Sequence, residues 1–485
     1  MLIDRTNHHT MMTEKKTPAL MTAPTMRSAA FSLLAVLLMT TGSHDLRAAG
    51  SELEPEKAFK SFILDNGLEV VVVENHLAPI ATVELAVRNG SFTEGPEYAG
   101  LSHLYEHMFF KGNRDFPRSQ DFLSYLSDIG AIWNATTREE VVYYYFTLPS
   151  VNLKVGMELM ANTIQTPLFE DLELEREREV VLGEFDRHES SPIFAFSRML
   201  DSITWGSNFT RKEPIGQRDV IGSATPAKMR YIQKKYYIPN NSMLVVAGDV
   251  DSATVHKYAE KYFESWERGP DPFVTDPPPF PDPLPGKQLV VVPSPLDVIQ
   301  VTYQFHGPSV SRDPKATYAA DVFIYILTQD QSRFQRRLVE SGLAQSAGFS
   351  YYTQNYTGPI AVTISTTPDK FAQAMKVLWE EIQAFGTPDY ITDEELETAK
   401  SILHVQHLYD VEETTEWTHT LGFWWSTTGG LDYFRGYLDN LAAVNHADIS
   451  AFINTYVTGK DYVLGIASSD ANLRKLNLSE AALLK

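Results

Sequence analysis

The stretch GPDPFVTDPPPFPDPLPG, residues 269–286, divides the chain into two parts. Proline at this density fixes φ and removes backbone donors, so the stretch disfavours helices and sheet ladders and favours an extended spacer. A chain of 485 residues is also too long for one compact core. We therefore predict a linker at 269–286 between a first domain, residues 57–268, and a second domain, residues 287–485, each of ordinary size.

The two parts repeat the same order of elements. Stretches with the apolar, β-branched composition of strands occur at matching positions: LEVVVVEN (68–75), ATVELAV (81–87) and NNSMLVVAGDVD (240–251) in the first part, and QLVVVP (288–293), VIQVTYQF (298–305) and KDYVLGIASSDA (460–471) in the second. This order predicts a duplication. A coincidence between two unrelated domains is the alternative.

The first part also contains a predicted hairpin and long helices. AIWNATT (131–137) and VVYYYFTL (141–148) are joined by a short turn, which predicts antiparallel pairing, and helical patterns follow at about 151–165 and 172–189. Grouped strands with helices on one side predict an α+β fold. We expect two duplicated domains, each a mostly antiparallel sheet with helices packed on one side.

The composition excludes several classes of function. Hydrophobic residues make up 43% and charged residues 21%, which is ordinary for a globular protein. The net charge of -21 gives no electrostatic reason to bind nucleic acid or anionic lipid. The chain has no cysteine, so thiolate ligands and a cysteine nucleophile are excluded. Any metal ion must be bound by histidine and carboxylate groups.

The N-terminus, residues 1–49, has the pattern of a secretory signal peptide. Met26-Arg27 precedes the apolar run AAFSLLAVLLM (29–39), and small residues follow up to Gly50. The run is short for a membrane span, so we expect cleavage, a periplasmic or secreted protein and no stable membrane insertion afterwards. An uncleaved anchor is the alternative. The polar residues before Met26 also leave Met21 or Met26 open as the true start.

The stretch GLSHLYEHMFFKG, residues 100–112, contains a candidate metal site. It predicts a helix that ends at Gly112 in a left-handed cap. His103 and His107 lie one turn apart on one face, which suits two ligands of a zinc ion, and Glu106 beside them suits a base that takes a proton from water. The order H-x-x-E-H is the inverted zincin pattern. An exposed turn with a chance histidine pair is the alternative.

A third ligand is predicted in ELEREREVVLGEF, residues 173–185. Glu177 and Glu184 lie two helical turns apart on one face. Glu184 borders the apolar run 180–182, where a carboxylate is costly unless it is paired or bound to a metal, so we predict Glu184 as the ligand. We expect a solvated surface position for three other glutamates: Glu173, Glu175 and Glu179.

Together these stretches resemble the pitrilysin/insulinase family of zinc metallopeptidases. HLYEH is followed by the glutamate helix at the separation that the family uses, and GAIWNATTREEVVYYYFTLP (130–149) resembles the family's segment between them. The strong similarity covers about residues 60–190, and a weaker, duplicated layout extends over 57–485. The length resembles the subfamily built from separate subunits of about this size.

The resemblance implies a zinc endopeptidase. His103, His107 and Glu184 would bind one zinc ion per chain. Glu106 would be the general base, and Glu177 would orient the site from outside the ligand shell. The substrates would be unfolded peptides or small proteins, enclosed in a clamshell between two halves of a dimer.

The resemblance also implies substrate contacts. Asn134 and Ala135 would lie on the strand edge that binds the peptide, where backbone hydrogen bonds give affinity. Phe110 would line the pocket beside the scissile bond. The alternative for Phe110 is an ordinary core aromatic.

One departure from the family predicts a partner. Members complete the site with an arginine and a tyrosine in a stretch resembling R-x-x-x-G-L-A-Y, whereas this chain has SRFQRRLVESGLAQSAG, residues 332–348. Gln345 takes the tyrosine position and Leu338 the arginine position, with Arg337 adjacent. We predict a heterodimer with a paralogous subunit that lacks zinc ligands and supplies the pair. A homodimer, with neutral drift at Gln345, is the alternative.

Two other functions stay open on the sequence. A non-catalytic peptide-binding or scaffold subunit is one, and the complete set of His103, Glu106, His107 and Glu184 argues against it, because scaffold relatives usually lose such residues. A zinc-dependent hydrolase of a different bond is the other, and only the generic metal site favours it.

Overall fold

A computed structural model describes residues 58–410, 413–476 and 478–484, so the predicted signal segment at 1–49 lies outside the described residues. The strands of the first half are β1 (Lys60–Ile63), β2 (Glu69–Glu74), β3 (Ile80–Val87), β4 (Ile132–Thr137), β5 (Val142–Pro149) and β6 (Ser242–Gly248). Those of the second half are β7 (Gln288–Pro293), β8 (Ile299–His306), β9 (Ser346–Tyr351), β10 (Pro359–Thr366) and β11 (Val463–Ser468).

The helices precede, follow and connect these strands. In the first half they are α1 (Leu101–Phe109), α2 (Ser119–Asp128), α3 (Leu153–Gln165), α4 (Asp171–Glu189), α5 (Phe194–Trp205), α6 (Arg218–Gly222), α7 (Pro226–Tyr236) and α8 (Ser252–Phe263). A short helix, α9 (Pro272–Thr275), lies in the proline-rich stretch. In the second half they are α10 (Pro314–Leu327), α11 (Arg333–Gln335), α12 (Phe371–Ala384), α13 (Asp393–Asp410), α14 (Thr414–Thr428), α15 (Asp432–Arg435), α16 (Tyr437–Ala443), α17 (His446–Tyr456), α18 (Asp470–Leu476) and α19 (Glu480–Leu483). None of the helices within the described ranges is long and apolar enough to cross a membrane.

The two sheets share the topology of five strands, and the first sheet has β1 as an additional edge strand. The strand order is β1-β2-β6-β3-β5-β4 in the first and β7-β11-β8-β10-β9 in the second. In each sheet one pair is parallel, β2 with β6 and β7 with β11, and the other pairs are antiparallel. The predicted α+β fold of two duplicated halves is therefore confirmed, as is the hairpin of β4 and β5.

The central strands are buried on both faces. All inner residues of β2 are buried, and β3 is buried from Ala81 to Val87. In β2, Val70 and Val72 belong to the main core of the first half, whereas Val71 and Val73 belong to a separate cluster with α14. The unbroken valine run of the sequence thus reflects two covered faces.

Each half covers the second face of the other half's sheet with one helix. Helix α14 packs on β3 and β6 of the first sheet through Trp417, Leu421 and Trp425. Helix α5 packs on β7, β8 and β11 of the second sheet through Phe196 and Leu200. The prediction of helices on one side of each sheet describes the larger helical layer. The second side of each sheet is covered by α14 or α5 from the other half, which was not predicted.

Polar contacts strengthen both exchanges. Thr418 in α14 donates a hydrogen bond of 2.8 Å to the buried carboxylate of Glu84 in β3, and His419 contacts the same carboxylate. In α5, Asp201 accepts a hydrogen bond of 2.7 Å from Gln304 in β8. Because α5 and α14 each pack on the sheet of the other half, the packing alone does not define where one domain ends. The predicted domains at 57–268 and 287–485, and the linker at 269–286, stay predictions.

The two halves are expected not to fold separately. A fragment that ends at residue 286 loses α14 and exposes the apolar face that includes Val71 and Val73, and a fragment that begins at 287 loses α5. Neither fragment alone should show a cooperative thermal unfolding transition. Co-expression of the two fragments should give a complex that unfolds cooperatively. A sharp transition for either isolated fragment would show that the exchanged helix is dispensable.

Candidate metal centre

Helix α1 is fixed at its start by a buried glutamate. The carboxylate of Glu94 accepts hydrogen bonds from the backbone amides of Gly100, at 2.7 Å, and Ser102, at 2.6 Å. Gly100, at the N-cap, has a left-handed φ of 92° that favours glycine. Burial raises the pKa of Glu94 to about 8, although these hydrogen bonds lower it. The helix that holds the histidines is thus anchored at its first turn.

The predicted end of this helix is wrong in its detail. Phe110, with φ of -86°, caps α1, and Gly112 is not among the residues with positive φ. A side chain at Gly112 would instead bring its Cβ within 2.6 Å of the backbone oxygen of Pro117. The glycine is required here by a close approach of two backbone segments and not by a left-handed cap.

Helix α4 places three carboxylates against the α1 segment: Glu173, Glu177 and Glu184. The Oε2 of Glu173 accepts a hydrogen bond of 2.9 Å from the backbone amide of Gly112, so the predicted solvated position of Glu173 is wrong. Glu175 and Glu179 are exposed, as predicted. Buried Leu174, Val181 and Phe185 on the same helix pack into the core and fix the register of the carboxylates.

His103, His107 and Glu184 converge. The Oε2 of Glu184 lies 3.5 Å from the Nε2 of each histidine, and one ligand atom from each residue can be chosen so that all three lie within 4.8 Å of one another. The side chains are only 15%, 9% and 14% exposed. Two ligands at 2.0–2.1 Å from a tetrahedral centre are separated by roughly 3.3 Å, which is close to these distances.

The chemistry of this group fits a zinc ion. Within the described part of the chain, the buried Nε2 of His107 makes no hydrogen bond of normal geometry and faces the carboxylate of Glu184 at 3.5 Å. Two imidazoles and a carboxylate form a nitrogen and oxygen donor set that suits zinc, and three protein ligands leave a position for water or substrate. His103, His107 and Glu184 are therefore the residues that would hold the ion.

Glu177 contacts the Nδ1 of His107, the ring nitrogen that faces away from Glu184. Its Oε2 lies 3.1 Å from the Nδ1 of His107, and its Oε1 lies 2.6 Å from the Nζ of Lys111. Burial alone would raise the pKa of Glu177, but the contacts with His107 and Lys111 lower it. Conversely, burial lowers the pKa of His107, while Glu177 and Glu184 raise it to about 9. A proton therefore competes with a metal ion for His107, and acid weakens metal binding.

Glu106 lies beside the metal-ligand group and is held by the sheet. It is buried, and its Oε2 accepts a hydrogen bond of 2.8 Å from the hydroxyl of Thr137 at the end of β4. Sequence reasoning missed Thr137 and Lys111. Lys111 could have been found from its position four residues after His107. Thr137 could have been found from the alternation of side chains along β4, which places it on the same face as Trp133 and Ala135.

The predicted substrate residues lie on or near the outer strand of the first sheet. β4 pairs only with β5, so its other edge is open among the described residues. Asn134 is half-buried on β4, and Ala135 is buried in the core. Phe110 lies 4.5 Å from the ring of Trp133 and belongs to the core, in agreement with its alternative interpretation, and the substrate roles of all three residues stay predictions.

In the second half, the two residues at and next to the family's arginine position are Leu338 and Arg337. Leu338 is fully buried. Arg337 pairs with Glu380 at 2.6 Å and also with the buried carboxylate of Glu381. Gln345 is exposed beside the start of β9. Arg337 is therefore engaged within its own half.

Two family models match successive parts of the chain. The model described as Insulinase (Peptidase family M16) matches residues 69–215, and the model described as Peptidase M16 inactive domain matches residues 223–403. All residues of the candidate centre, from His103 to Glu184, lie within the first match.

Similar proteins carry names of zinc proteases. The chain is 24% identical to an uncharacterized zinc protease, YmxG, of Bacillus subtilis over 85% of this chain and 99% of that protein. It is 30% identical to the zinc protease PqqE of Helicobacter pylori, over 48% of this chain and 52% of that protein.

Solved structures show the same fold. A protease from Helicobacter pylori superimposes with a TM-score of 0.76 at 22% identity, covering 84% of this chain and 99% of that one. The periplasmic protease PqqL of Escherichia coli superimposes with a TM-score of 0.71 at 18% identity, covering 88% of this chain and 49% of that one. From the two family matches, the shared fold and the names of the relatives, the chain belongs to the insulinase family of peptidases, M16.

Proposed function

We propose that the chain is a zinc-dependent endopeptidase that hydrolyses unfolded peptides or small proteins in the periplasm or outside the cell. The observation that carries this proposal is the convergence of His103, His107 and Glu184, with Glu106 on the same helix as both histidines. The predicted signal segment and the periplasmic location of one structural relative support the location.

Each polar residue of the centre has a distinct role in this proposal. A bound zinc ion supplies Lewis acidity, which acidifies water and polarises a carbonyl oxygen. His103, His107 and Glu184 hold the ion, and Glu177 keeps the His107 ring oriented through Nδ1. Glu106 accepts a proton from the attacking water and returns a proton to the leaving amine.

The open edge of β4 supports an extended peptide as the substrate. A peptide that pairs with this edge would satisfy its own backbone groups with those of Asn134 and its neighbours. Pairing of this kind needs an extended chain, so a folded protein would be a poor substrate. Asn134 and Ala135 would therefore position the peptide through the strand, and Phe110 would line the pocket beside the scissile bond.

The second half supports a heterodimeric enzyme. Leu338 is buried, Arg337 is paired with Glu380, and Gln345 stands where the family has tyrosine. A paralogous subunit would supply the arginine and tyrosine that this chain lacks. The same features favour the second candidate function, a non-catalytic peptide-binding or scaffold subunit.

The test uses the chain without residues 1–49. Zinc content and cleavage of a quenched-fluorescence peptide library are measured on one sample, alone and with a co-purified paralogous subunit. We expect about one zinc ion per chain and cleavage that a chelator abolishes and added zinc restores. A folded, protease-resistant protein serves as the control and should stay intact. Bound zinc without cleavage under either condition would support the scaffold function instead, and absence of zinc would contradict the zinc-dependent endopeptidase.

A further inference from the structure

We propose that Thr137 is a positioning residue that holds Glu106 in its working orientation and thereby connects the peptide-binding strand to the general base. The inference rests on the proposed function. It is carried by one contact, the hydrogen bond of 2.8 Å from the Thr137 hydroxyl to the Oε2 of Glu106, and by the way in which β4 is fixed.

The alternation along β4 directs Thr137 toward α1. Side chains two residues apart lie on the same face of a strand. On this face Trp133 contacts Phe110 at the end of α1, and Ala135 is buried in the core that contains α1. Thr137 is the next residue of this series, and it meets Glu106. The strand that would bind the peptide therefore touches the helix of the metal ligands at successive points.

The position of Thr137 is fixed by strand β5 and by the turn between β4 and β5, which contacts the second half. On β5 it pairs with Val142, and after it the amide of Arg138 donates a hydrogen bond of 2.9 Å to the oxygen of Val141. In the same turn Glu140 accepts hydrogen bonds from the amides of Asn355, at 2.6 Å, and Tyr356, at 2.9 Å, in the second half. Thr137 thus lies at the end of a strand that leads into a turn anchored by the second half.

The hydrogen bond from Thr137 can orient the carboxylate of Glu106 for proton transfer, which packing alone would not do. A glutamate side chain has several rotamers, and a base must meet its proton within hydrogen-bond distance. A fixed donor to one carboxylate oxygen restricts the orientation of the whole group. Displacement of a catalytic group by about 1 Å can lower a rate by about 100-fold. Loss of the Thr137 hydroxyl should therefore reduce the catalytic step more than substrate binding.

The test compares Thr137→Val, which removes the hydroxyl at nearly constant shape, with Thr137→Ser, which keeps it. We expect Thr137→Val to lower kcat by about 10- to 100-fold, with KM changed less than about 2-fold, and we expect Thr137→Ser to retain most of the rate. Zinc content and the midpoint of thermal unfolding should stay near wild type. The same chemical change at exposed Thr387, Thr387→Val, is the matched control and should leave all values unchanged.

Several results would overturn the inference. An unchanged kcat in Thr137→Val would do so, as would equal losses in the valine and serine variants, or a loss of rate that follows loss of zinc. Crystal structures provide a readout that does not need turnover: Glu106 should change orientation in Thr137→Val and keep it in Thr137→Ser. An unmoved carboxylate in Thr137→Val would overturn the inference even if the wild type cleaves no peptide. Failure of the proposed function is distinct, because there the wild type itself shows no cleavage.

Discussion

Glu106→Gln is expected to lower kcat/KM for an unfolded peptide by about 1,000-fold, because general acid–base catalysis by one side chain contributes roughly 100- to 10,000-fold. Glutamine has nearly the same shape as glutamate, and its oxygen can still accept the hydrogen bond from Thr137. It cannot accept a proton from water. Steady-state cleavage of a quenched-fluorescence peptide measures the effect, and zinc content measured on the same samples should be unchanged.

The matched control for this variant is Glu179→Gln. Glu179 is exposed on α4, so the same loss of charge occurs away from the convergent ligands. We expect its activity to equal that of the wild type. Retention of more than about a tenth of the activity by Glu106→Gln would be inconsistent with Glu106 as the proton-transfer group.

Glu184→Gln is expected to lower the affinity for zinc by more than about 100-fold. Changes outside the ligand shell typically cost 10- to 100-fold, and Glu184 supplies the only anionic oxygen of the three predicted ligands. Lys111→Met should give a smaller loss, of about 10-fold, because Lys111 acts through Glu177 and then His107. Competition with a chromogenic chelator measures both affinities at one pH.

The control for the zinc series is Glu175→Gln, an exposed position on the same helix. The expected order of affinity is wild type equal to Glu175→Gln, then Lys111→Met, then Glu184→Gln. A loss in Lys111→Met as large as that in Glu184→Gln would mean that Lys111 supports the fold of the centre and not only the orientation of Glu177. Equal affinity in the wild type and Glu184→Gln would remove Glu184 from the ligand set.

The local part of the candidate centre could be predicted from the sequence. His103 and His107 lie one turn apart on any α-helix, so their geometry follows from spacing alone. Glu184 could be selected because it borders buried Val181 on the same helix. Strands β2 to β8 and β11 could be predicted from the composition of their sequences, whereas β1, β9 and β10 were not predicted. The similar order of the predicted strands in the two halves indicated the duplication.

The contacts between distant segments could not be predicted in the same way. Glu173 and exposed Glu175 have the same local sequence character, and only the approach of Gly112 to α4 distinguishes them. The prediction for Gly112 failed for the related reason that a close backbone approach leaves no periodic signal. A pattern of apolar residues shows that a helix has a buried face but does not identify the sheet it covers, so the exchange of α5 and α14 was not found.

The most direct test of the account is an anomalous difference map at the zinc absorption edge, from crystals of the chain prepared with zinc. We predict one peak per chain, at about 2.0–2.1 Å from the Nε2 atoms of His103 and His107 and from a carboxylate oxygen of Glu184. A peak at any other set of residues, or no peak at this group in a zinc-saturated crystal, would contradict the assignment of the metal centre.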